Sequence, residues 1–334
     1  MQKNKEKQDR IIILMKHIKN WVYKIKYICS LSIRRYLKIF TTFFAILGCT
    51  LTVAEFVQYI FESDFVYVFL RKYVWCFLIV CFIVSFFKNK FKLSYEYFLK
   101  GTDVKINLKV DDVLNQKAAI VIPTSTTFDT KMDDDFISEN SIQGQFQNKY
   151  FSNNLKELDR LLEKGLEGYS YELINAVNSK NKRYPIGTVS KVTYKGKHYY
   201  FVAIADVNDF GKTINTKFTN VQLTLEGIWN HIENKGHIEN LAIPLIGTGK
   251  AGIHDATRKK VIQEIIFSFV ASSQQRKVTE KLQICIHPQD LEHKDLELEE
   301  LNEYLKYMCM YRYVDMIDNN EGKVISVESE LSKI

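Results

Sequence analysis

The residues of this chain best equipped for chemistry stand together at 243–253, IPLIGTGKAGI. An apolar run, residues 241–246, ends in Gly247, Thr248, Gly249, Lys250, Ala251 and Gly252, and a helical pattern opens near Asp255. Strand, glycine-rich loop and helix, in that order, suit an anionic ligand. Glycines turn with positive φ and, lacking side chains, let a diphosphate reach the loop N–H groups and the positive end of the helix. The Thr248 hydroxyl and the Lys250 ammonium would add donors. A plain strand-to-helix turn has the same composition, and Lys250 also reads as a solvated surface lysine, so context decides.

Other chemistries find little support. Cys29, Cys49, Cys76, Cys81, Cys285 and Cys309 form no CxxC pair and no His/Cys cluster, which predicts neither a metal site nor a disulfide framework. His198, His231, His237, His254, His287 and His293 fall into no HExxH or spaced ligand set. No Ser/His/Asp or Cys/His signature appears in its local context, and no catalytic residue is assigned. Charge is divided along the chain. Residues 1–100 hold 17 Lys+Arg and 6 Asp+Glu, a net of +11, and the whole chain carries +7, so residues 101–334 carry −4. Phosphate neutralisation needs clustered cations, which argues against a nucleic-acid partner for that part.

The elements that must position the loop follow an N-terminal region of another kind. Residues 1–38 hold 11 Lys+Arg against Glu6 and Asp9, interleaved with Trp21, Tyr23, Tyr27 and several isoleucines. This predicts a basic segment on a membrane surface, with a disordered basic tail as the other reading. Residues 39–61 are apolar with one charge, Glu55, and residues 65–87 are apolar but broken by Arg71 and Lys72. At about 20 apolar residues per span, they predict two transmembrane helices in a hairpin, the second short or snorkelling. Lysines at 88, 90 and 92 follow the second span. By the positive-inside rule both termini and everything after residue 88 face the cytoplasm of a multi-pass inner-membrane protein. With the turn centred on Ser63, Glu55 and Arg71 lie at matching depth, about 12 Å along each helix. They could pair to seal or line an assembled bundle; alternatively Glu55 sits near the outer interface.

Residues 88–100 read as a linker, and residues 317–334 as a polar tail. Between them, in 101–316, strand-like runs at 104–110, 118–123, 187–194, 199–206, 241–246 and 282–287 alternate with helix-like runs at 154–164, 221–233, 255–272 and 296–308. The alternation predicts an α/β fold with its ligand loops at the C-terminal ends of the strands.

Three segments of this domain resemble the macro domain, the ADP-ribose-binding three-layer α/β/α fold with a mixed sheet. Residues 109–114, KVDDVL, stand where that family has its Gly-Asp-Ile-Thr-like turn; the matching adenine-contacting residue is Asp112, with Val113 beside it, although a turn aspartate is the plainer reading. Residues 118–125, AAIVIPTS, match the buried strand and its loop, and 243–253 match the second diphosphate loop. Gly144, within 141–146 (SIQGQF), stands for the first phosphate loop. The resemblance departs where hydrolytic members carry an Asn-Ala-Ala-Asn run. Here Ile122, Pro123, Thr124 and Ser125 stand there, with Ser125 replacing the asparagine that holds the distal ribose. That loss favours a reader of ADP-ribose over a hydrolase.

Two spans followed by a divergent macro domain resemble the membrane-anchored macro effectors of bacterial Thoeris anti-phage systems. The resemblance implies a nucleotide signal made from NAD by a partner TIR-domain enzyme, with histidine-conjugated ADP-ribose as ligand and no cofactor. It implies homo-oligomerisation and damage to the lipid bilayer as the response. A membrane-tethered ADP-ribosyl hydrolase and an ADP-ribose-reading scaffold are the alternatives. For a conjugated amino acid, the loops 128–136 and 180–187 could supply acidic and basic partners, or be merely solvated.

Overall fold

The computed structural model describes residues 14–15, 18–26, 33–61, 65–89, 92–132, 137–175, 179–208, 213–214, 216–235, 238–249, 252–253, 255–292 and 296–311. Lys250, Ala251, His254, the turn at Ser63 and the expected tail 317–334 lie outside them.

Helix α1, Ile33–Phe61, contains the one helix among the described residues long and apolar enough to cross a membrane, Tyr36–Phe61. The second expected span is two helices, α2 (Phe65–Lys72) and α3 (Val74–Lys88), which part at Tyr73. Tyr73 leaves helical geometry with φ −115 and ψ 26, yet its N–H still reaches Phe69 O at 3.1 Å and its carbonyl accepts from Phe77 N at 3.0 Å. With 15 residues, α3 is shorter than the ~20 that a straight span requires. It packs on α1 through Ser85 Oγ, which donates to Ile39 O at 2.6 Å, and through the edge-to-face Phe43–Phe82 pair. Asn89 adds a hydrogen bond to Thr42 Oγ1 at 3.1 Å. Among the described side chains, Ala54, Cys81 and Ser85 are the buried ones there, while Phe44, Phe56, Trp75, Phe82 and Phe87 are exposed. A contiguous apolar surface of that kind needs a lipid or protein partner. Glu55 and Arg71 are both exposed, and no ion pair joins them among those of the described residues.

The sheet begins earlier than the sequence suggests. Residues 94–98, expected to be linker, form edge strand β1 (Ser94–Phe98), antiparallel to β2 (Lys105–Val110). The remaining strands of the large sheet are β3 (Ala119–Ser125), β6 (Val189–Tyr194), β7 (Lys197–Ala205), β8 (Leu241–Pro244) and β9 (Lys281–Ile286). The two-residue strands β4 (Glu172–Leu173) and β5 (Lys182–Arg183) pair separately. The sheet order is β1-β2-β9-β8-β3-β7-β6. Its five inner strands run parallel and both edges are antiparallel.

Period-2 alternation divides each inner strand between two cores. On β7, Tyr200, Val202 and Ile204 face one cluster while Tyr199, Phe201 and Ala203 face the other. The first cluster is covered by α6 (Phe218–Lys235), α7 (Arg258–Gln275) and α8 (Leu298–Met310), with Trp229 edge-on to Phe269 at 5.3 Å. The second is covered by α4 (Ile142–Tyr150) and α5 (Leu155–Gly165), which bring Phe146, Leu158 and Leu162 onto the sheet. The result is the expected three-layer α/β/α domain with a mixed sheet.

Candidate functional site

At the C-terminal ends of the parallel strands the structure opens a cleft of about 1570 Å³. Its floor comes from Thr124 and Ser125 of β3, Ile204 and Ala205 of β7, Pro244 of β8 and Cys285 of β9. Adjacent parallel strands whose connections leave in different directions open such a crevice by topology. Burial pushes the Cys285 thiol up to about 12, so at neutral pH it is protonated apolar filler and no nucleophile.

One wall is the loop after β8. Gly247 turns it with φ 75, and a Cβ there would meet Ile253 Cδ1 at 2.4 Å. The loop is closed by Ile253 N to Gly247 O at 3.1 Å and Gly252 N to Gly249 O at 3.0 Å. The Thr248 hydroxyl, expected to reach for a phosphate, donates to Leu245 O at 2.9 Å and so holds the turn. Among the described residues a Cβ on Gly249 would meet nothing within 4 Å; this residue presents bare backbone to the cleft. Helix α7 starts just beyond, with Thr257 capping Lys260 N. Its first residue, Arg258, lines the cleft and lies 3.3 Å from Asp290 Oδ1.

The opposite end of the cleft is the turn after β2. Asp112 is buried and caps the 3-10 turn Val113–Asn115, its Oδ1 accepting from Leu114 N at 3.0 Å. Val113 and Leu114 line the cleft beside it. Burial works against ionisation of the neighbouring Asp111, yet Lys109 at 2.7 Å, the Gln116 side chain and the Asp112 N–H together hold its carboxyl below the usual carboxylate range.

The third wall follows β3. Ser125 Oγ lies 3.1 Å from Thr127 Oγ1, which donates to Asp129 Oδ2 at 2.6 Å. Asp129, itself buried, also accepts from Ser179 Oγ at 2.5 Å and Lys180 N at 3.0 Å, and its carbonyl accepts from Gln143 Nε2 at 2.7 Å. Within this loop Phe128 sits at φ 50 with its ring buried edge-on to Tyr184. A bulky residue at positive φ costs energy that only surrounding structure can offset. Thr124 Oγ1 is the contrasting case: it is buried at the cleft floor and has no hydrogen-bond partner among the described residues.

Gly144 departs from its expected place. It lies in the first turn of α4, capped by Ser141 Oγ at 3.0 Å, and a Cβ would come within 2.2 Å of Ser138 O. Its glycine identity serves that close backbone approach, while its neighbours Gln143 and Gln145 line the cleft. Sequence reasoning also passed over Arg258 and Gln143, and touched Asp129 only as part of the loop 128–136. Arg258 had a local signal, a cation at the start of a helix; the other two had none, because their roles depend on distant partners.

An α/β/α domain with a glycine loop, a helix N-terminus and a buried capping aspartate around one crevice defines a nucleotide-cleft protein of the macro type. The family model "Thoeris protein ThsA, Macro domain" matches residues 106–287, just over half of the chain. The chain belongs to this family, and so to the Thoeris defence proteins. It is 25% identical over 236 residues to Thoeris protein ThsA of Bacillus amyloliquefaciens (strain Y2), spanning 69% of this chain and 75% of that protein. Among solved structures it is similar to the Oceanobacillus iheyensis macrodomain with ADP, at TM-score 0.42, 10% identity and coverage of 64% and 94%. The same macrodomain with MES bound gives TM-score 0.44, 11% identity and coverage of 65% and 98%. The assignment rests on the family model.

Proposed function

We propose that the cleft binds an ADP-ribose derivative, made from NAD by a partner TIR-domain enzyme, and that binding drives this chain to assemble and disrupt the bacterial inner membrane. The observation that carries the reading is the meeting, in one crevice, of the bare Gly247–Gly249 backbone, the α7 N-terminus and Asp112. A diphosphate would lie along the loop N–H groups, with the adenine amino group toward the Asp112 side. Arg258 strengthens it. Already paired with Asp290, it adds a cation to the wall beside the positive end of α7, where an anionic ligand would lie. Thr124 offers a hydroxyl to a ribose.

The protein acts in this reading as a sensor and does not turn its ligand over. The carboxylates of the floor and walls are engaged in building the site: Asp112 caps a turn, Asp129 holds a loop and Asp290 faces Arg258. At the end of β3, Pro123 and Ser125 replace the residues of the hydrolytic pattern. The Oceanobacillus protein solved with ADP supports the nucleotide class by analogy only; histidine-conjugated ADP-ribose is the ligand proposed here. The exposed apolar surface of α1 and α3 would lie in lipid, with Glu55 and Arg71 available to pair between assembled copies, and the domain on the cytoplasmic side.

The test is dye release from liposomes containing the full chain. Addition of histidine-conjugated ADP-ribose should release dye, without release of free ADP-ribose and histidine from the ligand. Ligand cleavage without leakage would instead establish a tethered hydrolase, and binding with neither would leave a scaffold.

A further inference from the structure

The N-terminal basic segment has a place in the fold that its composition does not announce. Residues 18–26 are helical, and Lys19, Asn20 and Tyr23 of that helix line the cleft together with the loop after β8 and Asp290. Asp290 lies on the 3-10 turn Pro288–Glu292, and the last residue of that turn, Glu292, accepts from Lys26 Nζ at 2.6 Å. Lys19, Tyr23 and Lys26 are spaced i, i+4, i+7, which puts them on one helix face. The Lys19 ammonium lies over the Tyr23 ring at 5.9 Å. Ile18, Trp21 and Val22 are exposed. The helix therefore turns its basic, aromatic side to the cleft and leaves apolar side chains outward.

Charge explains the placement. Residues 1–38 are strongly basic, whereas Asp111, Asp112 and Asp290 at the cleft and Glu292 at its edge are acidic. Lys26 and Glu292 are 68% and 38% exposed, and an ion pair so open to solvent contributes little alone. The helix is held by a marginal contact, the kind of equilibrium that a ligand can bias. An anion in the cleft would give Lys19, whose described contact is the Tyr23 ring, a charged partner as well.

We propose that helix 18–26 is a wall of the ligand cleft, in which Lys19 takes an anionic group of the bound nucleotide while Lys26–Glu292 clamps the helix in place. The inference rests on the ADP-ribose reading of the cleft. Residue 26 lies seven positions before the start of α1, so occupancy of the cleft is coupled to the segment that leads into the membrane helix. Coupling of this kind is reciprocal: the ligand holds the helix down, and the docked helix tightens the ligand.

The experiment uses the full chain in phosphatidylcholine nanodiscs, titrated with ADP-ribose while amide hydrogen exchange is followed at 18–26. Lys19→Ala should weaken ADP-ribose by about five- to tenfold, and Lys26→Glu should do the same although Lys26 does not line the cleft. The exchanged pair Lys26→Glu/Glu292→Lys should restore affinity, and ADP-ribose should slow exchange at 18–26. Tight binding by the wild type with both single variants and the exchange unaltered overturns the wall and leaves the cleft reading intact. No binding by the wild type of either ADP-ribose or its histidine conjugate sinks the cleft reading. Exchange at 18–26 then still decides the docking: faster in Lys26→Glu and restored by the pair supports it, and indifference to both overturns it. Protection that appears only with phosphatidylglycerol, and ignores ADP-ribose and the charge exchange, puts the helix on lipid and also overturns it.

Discussion

The loop after β8 and the loop after β3 leave neighbouring strands to line the same cleft, and they hold their shapes by opposite means. The first uses glycine: Gly247 turns at φ 75, Gly249 stands in open space, and two backbone hydrogen bonds close the ring. The second uses side chains: Phe128 is held at φ 50 by a buried ring, and Asp129 gathers Thr127, Ser179 and the Lys180 N–H. A bare-backbone wall suits an anion that must come close to N–H groups. A wall of satisfied side chains suits a ligand part that must be recognised by shape, since its polar groups are fixed before anything binds. On the proposed reading, the first wall would supply affinity and the second selectivity within one crevice.

Breaking the side-chain wall should cost the most. Asp129→Ala takes the acceptor from the buried Thr127 hydroxyl and from the half-buried Ser179 hydroxyl and Lys180 N–H, a loss of about 3 kcal/mol by the usual penalty for orphaned donors. The denaturant midpoint reads it. On the glycine wall the two glycines should part company. Gly247→Ala puts a Cβ against Ile253 at positive φ and should cost about 1–2 kcal/mol, whereas Gly249→Ala should change the midpoint by less than about 0.5 kcal/mol. Equal effects at both would mean that the loop is not held as described.

The next effect concerns pH and lies away from both walls. His231 is buried beneath Tyr169, whose hydroxyl is 2.9 Å from Nδ1, and burial first, then Lys235 and Lys191, lowers its pKa to about 4. An unfolded histidine titrates near 6.5. The folded state therefore prefers neutral imidazole, so its contribution is complete above pH 6.5 and is lost as pH falls from there towards 4. Thermal midpoints measured across that window should drop in the wild type more steeply than in His231→Gln. The smallest change expected is Thr124→Val: removal of a buried hydroxyl without a partner leaves stability within about 0.5 kcal/mol of wild type, while ADP-ribose binding weakens.

How much of this could be read from the sequence follows the distances involved. The glycine wall was legible because Gly247, Thr248 and Gly249 carry their conformational meaning locally, between an apolar strand and a helical pattern. The central parallel strands β3, β7 and β8 were legible as apolar runs buried on both faces. Strand β1 was not: its sequence, SYEYF, follows a basic connection and shows the exposed, alternating pattern of a sheet edge. Helix α4 was missed because it is rich in glutamine and holds Gly144; Phe146 is its one fully buried apolar side chain, with Ile142 and Tyr150 packed partly buried beside it. Asp129 draws its meaning from Ser179, fifty residues on, and Lys19 meets the cleft across a much longer stretch of chain. No local pattern encodes either. The second expected span forms two helices that part at Tyr73, just after Arg71 and Lys72.

The measurement that bears most directly on the central claim is calorimetric titration of the full chain in detergent with ADP-ribose, its histidine conjugate and NAD, beside the variant Gly249→Glu. The variant adds a carboxylate where a Cβ meets open space, so it should fold like the wild type and repel a diphosphate. The account predicts saturable binding of an ADP-ribosyl ligand by the wild type, tightest for the conjugate, and its loss in Gly249→Glu with an unchanged thermal midpoint. Absence of binding by the wild type, or equal binding by the variant, would contradict it.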